Sequence, residues 1–504
     1  MLCAFEINVD ESMMTAQAMR YRQDLAPWRS VESESNGPID SWVLLAAHEG
    51  GVPFGYRSLH ILAALFLAAT LLATFFAARR LAGDTPALFG LAAGSGWLAL
   101  APVQEFEHYA SELAPCLLLA LSLAAIVRAG QAADGPDWRR GVLAGVLLGL
   151  APWGKLQAGP VALALGAWAF CDALARRSRP GRLYAAALAA GAIAPSAAFL
   201  AWIAAAGSGQ EFWRAYVLGG LYHAPAKSWQ LLLSNVGDLL SVQPSAPWFW
   251  DAALLSIGAC FLRRRAQHRA PIARPLVLAL VLLAAGLYVT LRPITQWGHY
   301  ALFCLTPLML VAALCARCAL GGEAPEAVGG AARPRRAAWI VLAAGLLPLP
   351  VFAFVRGGYL RDISQKWNYG QSHVFDDENF IARAVTYYVP KPESLAVWGW
   401  KPSLYVDLGL PPAVRSAGYA YLKDGNPSQD LLRAAFIQDL EQSRPQVFVD
   451  VEDYVLKDRR RTPPEIFPEL AAYLYENYRL VGGGKGVKSN PDYSLVINVY
   501  RRVR

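Results

Sequence analysis

Long apolar stretches recur through the first two thirds of the chain, separated by short polar loops. A hydrocarbon core of roughly 30 Å takes about 20 helical residues to cross. Windows of that kind occur at 58–78, 85–101, 113–127, 141–153, 156–175, 183–206, 246–262, 275–291, 299–316 and 337–355. The window 141–153 is short, and only Pro152, Gly154 and Lys155 part it from the next. Beyond Gly357 no window could span a bilayer. Shorter segments alternate there: a strand-like run at 394–400, a polar helix at 428–443 and strands at 447–451 and 493–500, punctuated by Pro and Gly. The pattern predicts a polytopic α-helical membrane protein of about ten spans over 58–356, a small α/β domain over 357–504 and a polar first outer loop over 1–57 that holds an acidic pair. The Gly, Ala and Pro of 321–330 read as a flexible linker.

Composition agrees with this picture. Hydrophobic residues make up 55% of the chain, charged residues 17%, and the mean hydropathy is +0.29, too apolar for a soluble protein of this size. The basic residues test the span count. One set of alternate loops holds eighteen, among them Arg79, Arg80, Arg128, Arg176, Arg263 and Arg335; the other holds Lys155, Arg214, Lys227 and Arg292. Merging the two windows around Lys155 would destroy that asymmetry, so the split is favoured. The poor set then faces outward, with both termini, and the α/β domain is periplasmic or extracellular on an inner (plasma) membrane protein. A net charge of +8 is accounted for by topology and anionic headgroups and requires no nucleic acid. The seven cysteines show neither metal-ligand spacing nor a disulfide framework. Met1 to Ile7 is too short to cross a membrane, so an outward N-terminus implies a first helix missing from the sequence, the alternative being that the short tail translocates by itself.

Charges near the outer surface carry the candidate chemistry, because desolvating them is costly and they usually pair, bind ions or face water. Asp10 and Glu11 lie side by side in the first loop. A second loop, 104–112, places Glu105, Glu107, His108, Tyr109 and Glu112 together without a Lys or Arg. Lys155 follows a Pro-Trp-Gly break, and His299 and Tyr300 stand at the mouth of a late span. Glycosyl transfer from a lipid phosphate needs a carboxylate to take a proton from the acceptor hydroxyl and a cation or hydrogen-bond donors to hold the departing phosphate. Asp10 or Glu11 suits the first role; Lys155, His299 or Arg57 suits the second. Interfacial anchoring is the plainer account of Arg57, and an isolated histidine is more often structural than catalytic. Glu105, Glu107, His108 and Glu112 could gather around a divalent cation, although carboxylate-rich loops are usually only solvated; no metal ligand set and no cofactor are assigned.

Several patches resemble the GT-C membrane glycosyltransferases that use polyprenyl-phosphate sugars, a family including protein O-mannosyltransferases and the aminoarabinose transferases acting on lipid A. The first runs from Asn8-Val9-Asp10-Glu11-Ser12 through Asn36-Gly37-Pro38-Ile39-Asp40-Ser41-Trp42 to Gly55-Tyr56-Arg57-Ser58-Leu59, like the family's first outer loop. Tyr109-Ala110-Ser111-Glu112-Leu113-Ala114-Pro115-Cys116 is similar to a Tyr-x-x-Glu-x-Arg-Pro-Tyr element of bacterial members. Gly149 to Gln157, His299-Tyr300 with Pro307, and Trp398-Gly399-Trp400-Lys401-Pro402-Ser403-Leu404-Tyr405 follow in order. Ala114 stands where the family has Arg, and Asn36-Gly37 where a Lys is often found, which removes two phosphate-binding cations.

The resemblance implies Asp10 as base with Glu11 beside it, and Arg57, Glu107, His108, Tyr109, Glu112, Lys155, His299 and Tyr300 as substrate-binding candidates. It implies an inverting glycosyltransferase moving a hexosyl or pentosyl group from a polyprenyl-phosphate carrier to a glycan, glycolipid or protein acceptor in the cell envelope. Exposed Trp398, Trp400 and Tyr405 would hold the acceptor or pack against the helices. The alternatives are a flippase for a lipid-linked sugar, disfavoured by the absence of an evident inverted repeat and of midspan charges, and a non-catalytic envelope assembly subunit.

Overall fold

A computed structural model describes residues 6–32, 36–100, 106–131, 135–223, 230, 234–236, 273–293, 298–320, 374–417, 429–452, 467–487 and 494–503. Helices α1 (Val9–Tyr21) and α2 (Pro38–Glu49) open the chain. They are followed by α3 (Tyr56–Ala82), α4 (Asp84–Leu100), α5 (Leu113–Gly130), α6 (Trp138–Gly154), α7 (Gly159–Ala175), α8 (Arg179–Ala206), α9 (Ala273–Leu291) and α10 (Leu302–Leu320). Two compact units divide the described chain: 1–62, 200–223 and 361–504 form one, and 63–199 with 224–360 the other.

Six helical segments are long and apolar enough to cross a membrane: Tyr56–Ala82, Leu113–Gly130, Leu156–Ala175, Arg179–Ala206, Arg274–Leu291 and Gly298–Cys318. Their outer faces show large apolar side chains, among them Leu65, Leu163 and Ile193. Helices α4 and α6 also sit where spans were expected but are 17 residues each, about 25 Å at 1.5 Å per residue. The expected spans 246–262 and 337–355 and the linker 321–330 lie outside the described residues. Of the ten expected spans, six are met among the described residues, two coincide with these 17-residue helices and two lie outside the described residues.

Within the helical unit the arginines gather at one end. Arg80 and Gln131 exchange hydrogen bonds (2.7 and 3.3 Å), joining the C-terminal ends of α3 and α5. Arg317 of α10 donates to Leu81 O at 2.5 Å. Arg140, at the start of α6, reaches Arg128 O, and Arg176, just past α7, reaches Gly130 O. Arg274 of α9 pairs with Asp172. Glycines allow the close approach: a Cβ on Gly145 would lie 2.2 Å from Leu188 O, and one on Gly149 2.3 Å from Ala192 O. Gly141, Gly145 and Gly149, four apart, form the small-residue stripe that lets the backbones of α6 and α8 touch.

In the other unit, helices α11 (Val374–Tyr388), α12 (Ser403–Leu408), α13 (Gln429–Ser443) and α14 (Pro468–Asn477) accompany strands β1 (Leu395–Trp398), β2 (Val447–Glu452), β3 (Tyr478–Val487) and β4 (Ser494–Arg502). The sheet order is β1-β2-β4-β3, with β1 parallel to β2 and the other pairs antiparallel. Alternation divides the strands between two cores. Leu395, Val397, Val447, Val449 and Val451 face a cluster that also takes Met13 and Ala16 of α1. Ala396, Trp398 and Phe448 face Phe436, Leu440, Phe467 and Leu470. The aromatic residues expected at the surface are therefore core residues: Trp398, Trp400 and Tyr405 are 2%, 7% and 1% exposed, and Tyr405 Oη accepts from Val397 N at 2.9 Å. Strand β3 escaped the sequence pattern because Gly482, Gly483, Gly484 and Gly486 interrupt it. Gly482 is needed there, since a Cβ would lie 2.1 Å from the ring of Tyr388.

Candidate functional site

The acidic pair begins α1. Asn8 caps the helix through Oδ1, which accepts from Asp10 N at 3.0 Å. Two carboxylates in the first turn also suit the positive end of the helix dipole. Asp10 is half-buried. Glu11 is fully buried; its Oε1 accepts from Ile7 N at 2.6 Å, and its Oε2 lies 3.1 Å from His60 Nε2. Burial pushes the Glu11 carboxyl above the usual carboxylate range, with the His60 hydrogen bond and charge opposing. One residue on, Ser12 Oγ meets Tyr56 Oη at 3.1 Å. Tyr56 and His60, four apart on α3, thus present one face to Glu11 and Ser12. Arg20 fixes the far end of α1 by donating to Ser30 O at 2.6 Å and Pro412 O at 2.7 Å. Arg57 is exposed, and no described contact joins it to this group.

The second group lies in the helical unit, at the end opposite the arginines, and is likewise built from helix termini. Glu112 precedes α5, Lys155 ends α6, and His299 and Tyr300 lie in the 3-10 turn before α10. Lys155 is 3% exposed and Glu112 fully buried. The Lys155 ammonium donates to Glu112 Oε1 and to Ser111 Oγ, the latter at 2.7 Å, and lies 4.8 Å from the Tyr300 ring centroid. His299 Nε2 stands 3.9 Å from Glu112 Oε2, and the His108 and His299 rings meet edge to face at 5.4 Å. Burial works against the Glu112 charge, but the charges of Lys155 and His299 and the Lys155 hydrogen bond prevail and hold the carboxyl below its ordinary value. Tyr109 is buried against Phe66, and Glu107 is half-buried.

The structure therefore gathers Glu112, Lys155, His299, Tyr300 and His108, five of the expected substrate-binding residues, around one buried cation. Asp10 and Glu11 belong to the other unit. The stretch 104–112 has no Lys or Arg of its own, and its Glu112 closes on Lys155 from forty-three residues away. Glu105 lies outside the described residues. Among the described residues no three His, Cys, Asp or Glu side chains converge as a metal would require. Sequence reasoning missed His60, Ser12, Tyr56 and Ser111. The four-residue spacing of Tyr56 and His60 in an apolar helix was a usable signal.

No protein-family model matches the chain, and no curated protein matches by sequence. Solved structures do match by shape. ArnT from Cupriavidus metallidurans bound to undecaprenyl phosphate aligns at a TM-score of 0.56 and 16% identity, covering 98% of this chain and 94% of that one. The apo state of the same protein aligns at 0.54, again at 16% identity, with coverages of 97% and 93%. An oligosaccharyltransferase from Archaeoglobus fulgidus, tethered to an acceptor peptide, aligns at 0.44 and 11% identity over 87% of this chain and 64% of that one. At near-complete coverage of both chains, this chain shares the fold of that ArnT.

Proposed function

We propose that the protein is an inverting GT-C glycosyltransferase taking its sugar from a polyprenyl-phosphate carrier. The observation that carries the reading is that Glu11, Glu112, Lys155 and His299, all singled out by motif, are buried and ion-paired at helix ends, Glu11 with His60 and Glu112 with Lys155 and His299. Ionisable groups buried in an apolar helical protein are costly, and function is the default reason to keep them. The ArnT fold and the undecaprenyl phosphate in its crystal structure favour a polyprenyl carrier.

In the reaction the acceptor oxygen attacks the anomeric carbon while Asp10 takes the hydroxyl proton. The bond from that carbon to the phosphate oxygen breaks, its electron pair leaves with the phosphate, and the configuration inverts. Glu11, held by His60 and Ile7 N, fixes the turn that presents Asp10. Lys155 is the cation for the phosphate, with Glu112 as its counter-charge. The acceptor is a glycan, glycolipid or protein at the outer face of a plasma or inner membrane.

Ten spans with an extracytoplasmic α/β domain complete the reading. It is supported by the clustering of arginines at one end of the helical layer and by α8 running away from that end while α9 starts at it. That arrangement calls for a crossing between them, where the sequence has the window 246–262. The window 337–355 is assigned on its apolar sequence.

The test is transfer by membranes containing the chain, supplied with a panel of radiolabelled polyprenyl-phosphate sugars, comparing wild type with Asp10→Asn. Removing a general base costs about 10²- to 10⁴-fold. Folded protein that transfers from no donor, or an Asp10→Asn variant as active as wild type, would overturn the proposal, the first in favour of a flippase or assembly subunit.

A further inference from the structure

A second ligand site lies at the arginine-rich end of the helical unit, among residues that the glycosyl-transfer reading does not use. The ends of α5 and α7 and the start of α8 frame a small recess whose lining includes Gly130, Pro136, Trp168, Asp172, Arg176 and Tyr184. Arg176 donates to Asp172 Oδ2 through Nε (3.3 Å) and Nη2 (3.1 Å) and to Gly130 O through Nη1 (3.2 Å), so each terminal nitrogen keeps a second N–H. Asp172 also carries Arg274. With two arginines on one carboxylate, the charge around Asp172 remains net positive.

Tyr184 supplies the independent observation. Its side chain is 3% exposed, and its hydroxyl is shielded and has no hydrogen-bond partner among the described residues. The charges acting on that hydroxyl are those of Asp172 and Arg176. A buried O–H donor left unmade costs free energy that an acceptor entering the recess would recover. The donors on offer, a guanidinium and a phenol, suit a phosphate oxygen. The rest of the lining is apolar, Ile126 of α5 with Trp168, Ala169 and Ala173 of α7. Such a lining suits an acyl chain and an interfacial tryptophan, and basic recesses between membrane helices take anionic headgroups.

We infer that this recess binds the phosphodiester headgroup of an anionic membrane phospholipid, with Arg176 and Tyr184 donating to the phosphate and the glycerol backbone lying against Trp168. The inference stands apart from the sugar-transfer reading.

The test is binding of phosphatidylglycerol, phosphatidylcholine and inorganic phosphate to the delipidated full-length protein by native mass spectrometry, for wild type, Tyr184→Phe and Arg176→Gln. Phosphatidylglycerol should bind in preference to phosphatidylcholine. Each substitution should weaken that binding about tenfold, the size expected for one hydrogen bond to a charged group. Without lipid, Tyr184→Phe should melt no lower than wild type, because the hydroxyl it removes has no partner. Equal binding of the two lipids, or unchanged binding in both variants, would overturn the site. Inorganic phosphate that binds and displaces the lipid at equal concentration would overturn the lipid source and assign the recess to a soluble phosphate.

Discussion

Replacing Glu112 by Gln strands a buried ammonium, and the cost can be worked from the contacts of Lys155. Both side chains are almost wholly out of solvent, and removing one partner of a buried ion pair costs about 3–5 kcal/mol. Lys155 keeps Ser111 Oγ and the Tyr300 ring, and a desolvated cation–π contact is worth about 1–2 kcal/mol. Glu112→Gln should therefore fall at the low end, about 3 kcal/mol. Lys155→Met leaves the Glu112 carboxylate with Ser111 and a histidine at 3.9 Å and should cost about 4 kcal/mol by the same reasoning. The double variant removes both charges and should cost less than either single change, because the desolvation penalty leaves with them. Cys116 is buried one turn past Glu112, so with the other cysteines replaced by Ser a thiol-reactive dye followed on heating reports the opening of this group. At about 2–4 °C per kcal/mol for a large domain, the single variants should melt roughly 6–12 °C lower and the double should recover more than half of that. Additive losses in the double variant, or an unshifted Glu112→Gln midpoint, would refute the buried pair.

The two buried carboxylates should respond to pH with opposite signs. Glu112 has its folded value held below 4.5, so its contribution is complete above 4.5 and is lost as pH falls through the lower folded value; Glu11 has its value raised, so its penalty is complete above that raised value and is relieved as pH falls towards 4.5. A melting profile should show Glu11→Gln flattening the gain on acidification above 4.5 and Glu112→Gln flattening the loss below it; the reverse assignment would contradict both environments. Gly145→Leu should prevent α6 and α8 from docking, seen as loss of monodisperse protein on gel filtration, whereas Gly159→Ala, with open space at its Cβ, should behave as wild type. Trp398→Ala should cost about 3–5 kcal/mol and make the α/β unit protease-sensitive, because the ring packs on Phe436 and Phe467. Intact folding with only weakened acceptor use would instead mark it as a binding platform.

Much of the architecture was legible because the bilayer imposes a length and a polarity on each span that a single sequence displays. The windows that became α3, α5, α7, α8, α9 and α10 were read from apolar length alone, and the arginine asymmetry anticipated the end at which Arg80, Arg140, Arg176 and Arg317 gather. In the α/β unit, the alternation in β1, β2 and β4 was visible because each strand divides its side chains between two cores. Strand β3 was not, since what makes it a strand is pairing with β4 and what makes Gly482 necessary is the ring of Tyr388, neither of which is local. The exposure assigned to Trp398, Trp400 and Tyr405 failed for a related reason: aromatic residues serve cores and sugar sites alike, and only the packed sheet decided between them. The candidate site divides in the same way. The sequence supplied Asp10, Glu11, Glu112, Lys155 and His299 as charges too costly to keep in an apolar protein without purpose. Which of them pair was decided by tertiary structure, because Lys155 meets Glu112 and His60 meets Glu11 only where helix ends distant in the chain converge, and electrostatic partnership depends on that separation in space.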